Sequence, residues 1–254
     1  MIVFAQVSDI HLDGGPGRSA RAAGVAAYLS GLSRPLDAVL VTGDIADHGL
    51  PAEYAQARAL FSSLPYPVFP CPGNHDVRAA YRQALLGEDG GADPGAPVNR
   101  VHEAAGARFL LCDSSIPGRD DGYLADETLS WLDGVLAGRP AEPAFLCFHH
   151  PPTRLHAPFV DDIRQRGEDR LASLVARHPQ VVGILCGHAH TPAATTFAGR
   201  PLLVSPGVAS TLVLPWEQGD LIDESAPPAV AFHILDDDRR LTTHYRVVRD
   251  PAAP

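Results

Sequence analysis

Short apolar runs bounded by Gly, Pro and Asp recur along the chain. Ile2–Val7, Ala38–Val41, Val68–Pro70, Phe109–Cys112, Ala144–Phe148 and Val181–Cys186 read as buried strands. Pro201–Val204 and Val230–Leu235 read the same way, and the more alternating Thr242–Val248 suits an edge strand. Helical spacing appears at Tyr54, Ala57, Phe61 and Leu64, at Leu129, Leu132 and Leu136, and at Leu171, Leu174 and Val175. Asp126 and Gly167-Glu168-Asp169 mark helix starts. Gly87–Pro97 and Glu217–Pro228 read as loops, the first of them mobile, and residues 250–254 as a tail. Strand–helix alternation gives way to strand-rich sequence, with no repeat and no clean linker. That order predicts one layered α/β domain over residues 1–254.

Composition narrows the chemistry. The chain is 45% hydrophobic and 20% charged, as expected of a globular protein able to bury a core. Its formal charge is −10, and every basic residue is Arg. Without Lys there is no Schiff-base lysine and no phosphate-loop lysine. The acidic balance argues against a nucleic-acid polymer as partner. Cys71, Cys112, Cys147 and Cys186 form no CxxC pair, and each ends an apolar run, as small buried hydrophobes on strands do. No basic leader opens the chain, and no run of ~18 apolar residues occurs. A soluble, cytoplasmic protein with no membrane partner is expected, and a homo-oligomer is compatible with the sequence.

The chemistry collects at strand ends. Asp9-Ile10-His11, Gly43-Asp44, Gly73-Asn74-His75-Asp76, His149-His150-Pro151-Pro152 and Gly187-His188-Ala189-His190 each follow an apolar run. Any one of them also reads as a turn or a helix cap. The last is stronger, because alternate positions of an extended segment face one way. Their recurrence after five strands is what carries weight, since ligands bind at the carboxyl edge of open α/β sheets. Imidazole, carboxylate and amide oxygen together suit Mn, Fe, Co or Zn, and no Cys joins them.

In this order, these motifs resemble the signature of the calcineurin-like metallophosphoesterases over residues 1 to about 207. Val7-Ser8-Asp9-Ile10-His11-Leu12 and Pro72-Gly73-Asn74-His75-Asp76 are most similar to the branch of class III cyclic-nucleotide phosphodiesterases and bacterial glycerophosphodiesterases. The resemblance implies a four-layer αββα sandwich, with strands in 208–249 completing the sheets. It implies two divalent transition-metal ions, one held by Asp9, His11, Asp44 and His190, the other by Asp44, Asn74, His149 and His188. The family pattern puts the ligand two residues before the first Pro, which selects His149 over His150.

The implied function is hydrolysis of a small phosphodiester, a cyclic nucleotide or a glycerophosphodiester, by attack of a metal-bridging hydroxide. His75 and Asn74 are the catalytic candidates, with His75 protonating the leaving alkoxide. A phosphomonoesterase or pyrophosphatase on the same core is the main alternative. A nuclease or a non-catalytic scaffold fits less well, because of the charge and because every ligand position is filled. Asp47 and His48 read as turn and cap residues, and Asp76 as a cap or a partner of the ligands. Asp13 and Arg18 read as residues of a Gly/Pro loop at the site mouth. His150 reads as a partner of the ligands or a substrate-facing residue, His156, Asp161 and Asp162 as solvated or pocket-lining residues of the loop after the His pair, and His102, His178, His233 and His244 as structural or surface residues.

Overall fold

The computed structural model describes residues 1–88, 93 and 95–249; part of the loop expected at 87–97 and the tail at 250–254 lie outside them. The strands are β1 Ile2–Val7, β2 Ala38–Thr42, β3 Val68–Cys71, β4 Arg100–Ala104, β5 Ala107–Leu111, β6 Gly122–Tyr123, β7 Ala144–Cys147 and β8 Gln165–Arg166. They continue with β9 Val181–Cys186, β10 Ala193–Phe197, β11 Arg200–Val204, β12 Thr211–Leu212, β13 Ile222–Asp223, β14 Ala229–Leu235 and β15 Leu241–Val247. The helices are α1 Pro16–Ser30, α2 Pro51–Ser63, α3 Arg78–Tyr81, α4 Asp126–Ala137, α5 Pro158–Asp162 and α6 Glu168–Arg177; a π-helical stretch, Arg82–Leu86, follows α3.

Two sheets carry the architecture, one in the order β15-β14-β1-β2-β3 and the other β10-β11-β9-β7-β5-β4. β1, β2 and β3 run parallel, as do β5, β7, β9 and β11, while the outer strands β4, β10, β14 and β15 pair antiparallel. Strand alternation explains the layers. Phe4 and Leu40 of the first sheet meet Phe109, Phe145 and Leu185 of the second in an inter-sheet core. The opposite face of the first sheet, with Ala5, Val39 and Val41, packs on Val25 and Leu29 of α1 and Tyr54 and Ala57 of α2. The outer face of the second, with Leu110, Leu146 and Ile184, packs on Leu132 and Leu136 of α4 and Leu171 and Leu174 of α6. The result is a helix–sheet–sheet–helix sandwich, the expected α/β class.

The strands read from the sequence are present, with ends moved by one or two residues. β4 and β10 are additions: Arg-Val-His-Glu-Ala and Ala-Ala-Thr-Thr-Phe lack apolar runs because they lie on sheet edges. α1 is another addition. It buries mostly small residues, Ala22, Val25, Ala26 and Leu29, so its apolar stripe is faint. Arg18 consequently stands in the first turn of a helix instead of a loop. Of the C-terminal strands, β14 and β15 extend the first sheet, and β12 and β13 form a separate two-stranded sheet. All four cysteines are buried and unpaired. No helix among the described residues is long and apolar enough to cross a membrane.

Phe109 is fully buried, stacked on Phe145 at 5.3 Å and edge-on to Phe4 at 4.9 Å. Phe109→Ala should therefore cost about 3–5 kcal/mol. Urea unfolding would read this as a lower midpoint at unchanged slope; a midpoint shift worth under about 1 kcal/mol would contradict the inter-sheet core as the main source of stability.

Candidate metal centre

Four parallel strands deliver a ligand-type side chain two residues past their ends. β1 stops at Val7 before Asp9, β2 at Thr42 before Asp44, β7 at Cys147 before His149 and β9 at Cys186 before His188. β3 delivers Asn74 in the same way, three residues past Cys71. Turning so sharply requires unusual backbone. Asp9, His11, Asp44, His188 and His190 all have positive φ, between 48° and 68°. Such conformations cost about 1–3 kcal/mol each in a non-glycine residue. His188 and His190 thus do not alternate along an extended segment; each stands in left-handed backbone, the first facing His149 and the second His11. Glycines make the close approaches possible. A Cβ on Gly73 would lie 2.2 Å from Asp44 Oδ1, and one on Gly43, at φ 87°, would lie 2.4 Å from His149 Nδ1.

The ligand atoms converge. Asp44 Oδ2 lies 3.2 Å from His149 Nε2 and 3.5 Å from His11 Nε2, between the two imidazoles. Asp9 Oδ1 lies 3.5 Å from His190 Nε2 and 3.9 Å from His149 Nε2, and both Asp9 oxygens accept from the His188 N–H at 3.1 Å. His11 Nε2 faces His190 Nε2 at 3.2 Å, and His149 Nε2 faces His188 Nδ1 at 3.2 Å. Asp9, His11 and His190 form one group with ligand atoms within 4.8 Å of one another; Asp9, Asp44 and His149 form another. The side-chain oxygen of Asn74 and Nε2 of His188 are buried without a hydrogen-bond partner among the described residues.

Neighbours fix which nitrogen points inward. Thr42 O, an acceptor only, takes the His149 Nδ1–H at 2.7 Å and leaves Nε2 facing the cluster. The Asp47 carboxylate takes the His11 Nδ1–H at 2.9 Å, and Ser210 Oγ holds His190 Nδ1 at 2.8 Å. Partners of this kind orient metal-ligating imidazoles. His150 differs from His149. It is fully buried, and its ring is engaged on both sides, by Ser114 Oγ at 2.8 Å and Asp120 O at 3.1 Å. His75 is more open; its Nδ1–H donates to Asp47 O at 2.8 Å, and its ring meets His11 edge-on at 4.6 Å. It also forms a group with His11 and Asp44.

Charge in the cluster is mutual. Burial alone would raise the Asp44 carboxyl, but the imidazoles of His149, His11 and His75 outweigh it and hold it well below the usual carboxylate range. Burial alone would lower His149, but Asp44 and Asp9 lift it to about 9. Burial and the neighbouring His149 push His150 down to about 3, so it is neutral. Burial, with the Asp44 charge behind it, raises Asp76 to about 6 despite three backbone donors.

Some residues do more than their sequence context suggested. Asp47 is not a turn or cap residue: besides His11 it binds Arg18 at 2.6 Å. Asp76 caps no helix. It accepts from Ile45, Ala46 and Gly73 N–H and from Tyr54 O–H, at 2.9–3.2 Å, and so ties the Asp44 loop to the Asn74 loop. Asp13 accepts the Gly15 N–H ahead of α1, and Asp161 accepts the Leu155 N–H. His156 is exposed. His48 pairs with Glu53 of α2 at 2.8 Å. His102 stacks on Phe69, His178 binds Asp133, His233 is buried against Gln6, and His244 is exposed. Thr42, Ser114 and Ser210 were not legible as site residues, since a carbonyl or hydroxyl that supports a ligand carries no motif of its own.

Residues 2–192 match the profile of the family described as calcineurin-like phosphoesterase. The chain is 33% identical over 241 residues to a glycerophosphodiester phosphodiesterase of Enterobacter lignolyticus, covering 91% of this chain and 86% of that protein. It is 34% identical over 220 residues to a cAMP/cGMP dual specificity phosphodiesterase of Mycobacterium tuberculosis, covering 82% and 68%. In three dimensions it resembles a dimetal phosphatase from Danio rerio, with a TM-score of 0.73 at 17% identity over 98% and 97% of the two chains.

A divalent cation entering the cluster must displace the proton that His149 holds at neutral pH. Metal affinity should therefore rise about tenfold per pH unit for each proton displaced, up to about pH 9. Calorimetric titration with Mn in buffers of different ionisation enthalpy should find at least one proton released per chain near neutrality. Affinity independent of pH would contradict this charge arrangement.

Proposed function

The chain belongs to the calcineurin-like phosphoesterase family, and on that premise we propose that it is a metal-dependent phosphodiesterase acting on a small diester. Asp9, His11, Asp44 and His190 would hold one divalent ion. Asp44, Asn74, His149 and His188 would hold the other, with Asp44 shared. The observation that carries this reading is the set of buried ligand atoms with no protein partner, Asn74 Oδ1 and His188 Nε2, beside two imidazole pairs facing nitrogen to nitrogen at 3.2 Å. Such atoms are costly to bury unless something binds them. Divalent ions bound there supply positive charge to the phosphoryl oxygens and make water acidic enough to serve as nucleophile near neutral pH.

The chain's own groups have separate tasks in this proposal. Thr42 O and Asp47 engage the outer Nδ1 of His149 and His11, so that Nε2 of each faces the cations. His150 is neutral and held on both sides, so it supports the loop carrying Ser114 and Asp120 and is not a ligand. With Nδ1–H donated to Asp47 O, His75 keeps Nε2 available to hold a proton for the leaving alkoxide. The two diesterase relatives support diesters over monoesters; the natural diester is a cyclic nucleotide, a glycerophosphodiester or another of that size. The ions are transition metals of the Mn, Fe, Co or Zn group.

With Mn supplied, the protein should turn over bis(p-nitrophenyl) phosphate with kcat/KM at least about tenfold above p-nitrophenyl phosphate; the opposite preference would make it a monoesterase. His75→Ala should keep its metal and lose roughly 10²–10⁴-fold on an alkyl diester, with much less loss on a nitrophenyl diester. Equal losses would assign His75 to charge stabilisation, and lost metal would make it a ligand. His149→Ala should lower metal content, whereas His150→Ala should retain it; the reverse would exchange the two roles.

A further inference from the structure

An apolar cleft of about 330 Å³ lies between two segments that leave the candidate metal centre. One wall is Pro158 and Phe159, at the start of α5, on the loop that continues from His149 and His150. The other wall is Leu212, Val213, Pro215 and Leu221, on the strap that continues from Ser210. This strap starts at the site itself. Ser210 Oγ holds His190 Nδ1 at 2.8 Å, Thr211 Oγ1 donates to His190 O at 3.3 Å, and Leu212 is the next residue.

The strap is also fastened down. β12 pairs with β13, and Val213 N–H donates to Leu221 O at 3.0 Å. Arg21 of α1 donates to Val208 O, Glu224 O and Ala226 O, at 2.6–3.2 Å. Arg18 faces the Glu224 carboxylate at 3.7 Å. Yet Phe159 and Leu221 stay about half exposed, at 50% and 47%, and the neighbouring Trp216 is 71% exposed. A held strap that leaves large apolar side chains open, starting one residue after Thr211 and its bond to His190, has the anatomy of a ligand pocket, at the small end of the usual ~300–1,000 Å³.

We infer that this cleft receives an apolar, ring-sized ester arm of the substrate, held there while the phosphoryl group lies at the metal centre. The inference rests on the diesterase reading above and adds the chemical class of one arm, which narrows that reading to diesters with two separate alcohol arms, one of them apolar. The lining residues named here offer no charged or hydrogen-bonding side chain, so a hydroxylated or cationic arm would give up its water without a partner. An aromatic or branched alkyl arm gives up none, and Phe159 and Leu221 bury apolar area against it.

The test compares two diesters that both release trifluoroethanol, benzyl trifluoroethyl phosphate and methyl trifluoroethyl phosphate. The bond broken is common to both, and only the retained arm differs. Fluorine NMR of Mn-loaded protein should give the benzyl diester a kcat/KM about tenfold or more above the methyl diester, carried mainly by KM. Leu221→Asp and Phe159→Ala should each remove most of that preference by weakening the benzyl substrate, with the methyl substrate within about twofold of wild type. Calorimetry should find the same preference in binding diphenylphosphinate over dimethylphosphinate. Hydrolysis of neither diester would overturn the diesterase reading itself. Hydrolysis of both without an arm preference, or a preference that survives both variants, would overturn the cleft assignment alone. A fall in sedimentation mass in Leu221→Asp would assign the cleft to contact with a second copy of the chain and also overturn it.

Discussion

The carboxylate of Asp44 is the group on which the rest of the site depends. It is buried, and a buried carboxylate is tolerated only where positive charge and hydrogen bonds surround it. His149 and His11 flank one oxygen, while the His75 N–H donates to the other at 3.0 Å. Each of these partners stands on a different loop. Placing Asp44 therefore fixes the relative positions of β1, β2, β3 and β7 at their carboxyl ends, and β9 follows through the contacts of His188 with Asp9 and His149. The same group fits a shared position between two cations, since it lies between the two imidazole sets.

Supporting such a charge needs a rigid frame, and the frame is polar as well. Asp76 joins the Asp44 loop to the Asn74 loop through backbone donors and Tyr54. Five ligand-type residues in left-handed conformation add strain that the packed sheets beneath must hold. Phe4, Phe109 and Phe145 contribute to that packing in the inter-sheet layer. Without metal, part of the burial cost is offset by the proton on His149, and for that reason folding, metal binding and pH are linked in one group.

Much of this was legible in the sequence because the central strands are buried on both faces. Ala38–Val41 and Val181–Cys186 read as apolar runs, and the polar cluster after each run is conspicuous by contrast. What escaped has physical causes. α1 packs through alanines, so its stripe was weak. β4 and β10 lie at sheet edges and need no apolar run. Asp47 looked like a turn residue because its role depends on His11, which is distant in sequence and adjacent only in the fold. The pairing of β12 with β13, and its attachment to Arg21, left no periodic trace in a segment dominated by Gly, Pro and acidic residues.

The central claim is that the cluster holds two cations with Asp44 shared between them. Anomalous diffraction from crystals grown with Mn tests it most directly. Two anomalous peaks ~3.5–4 Å apart are expected, with Asp44 in contact with both, Asp9, His11 and His190 around one, and Asn74, His149 and His188 around the other. A single peak, or two peaks with Asp44 touching neither, would contradict the account.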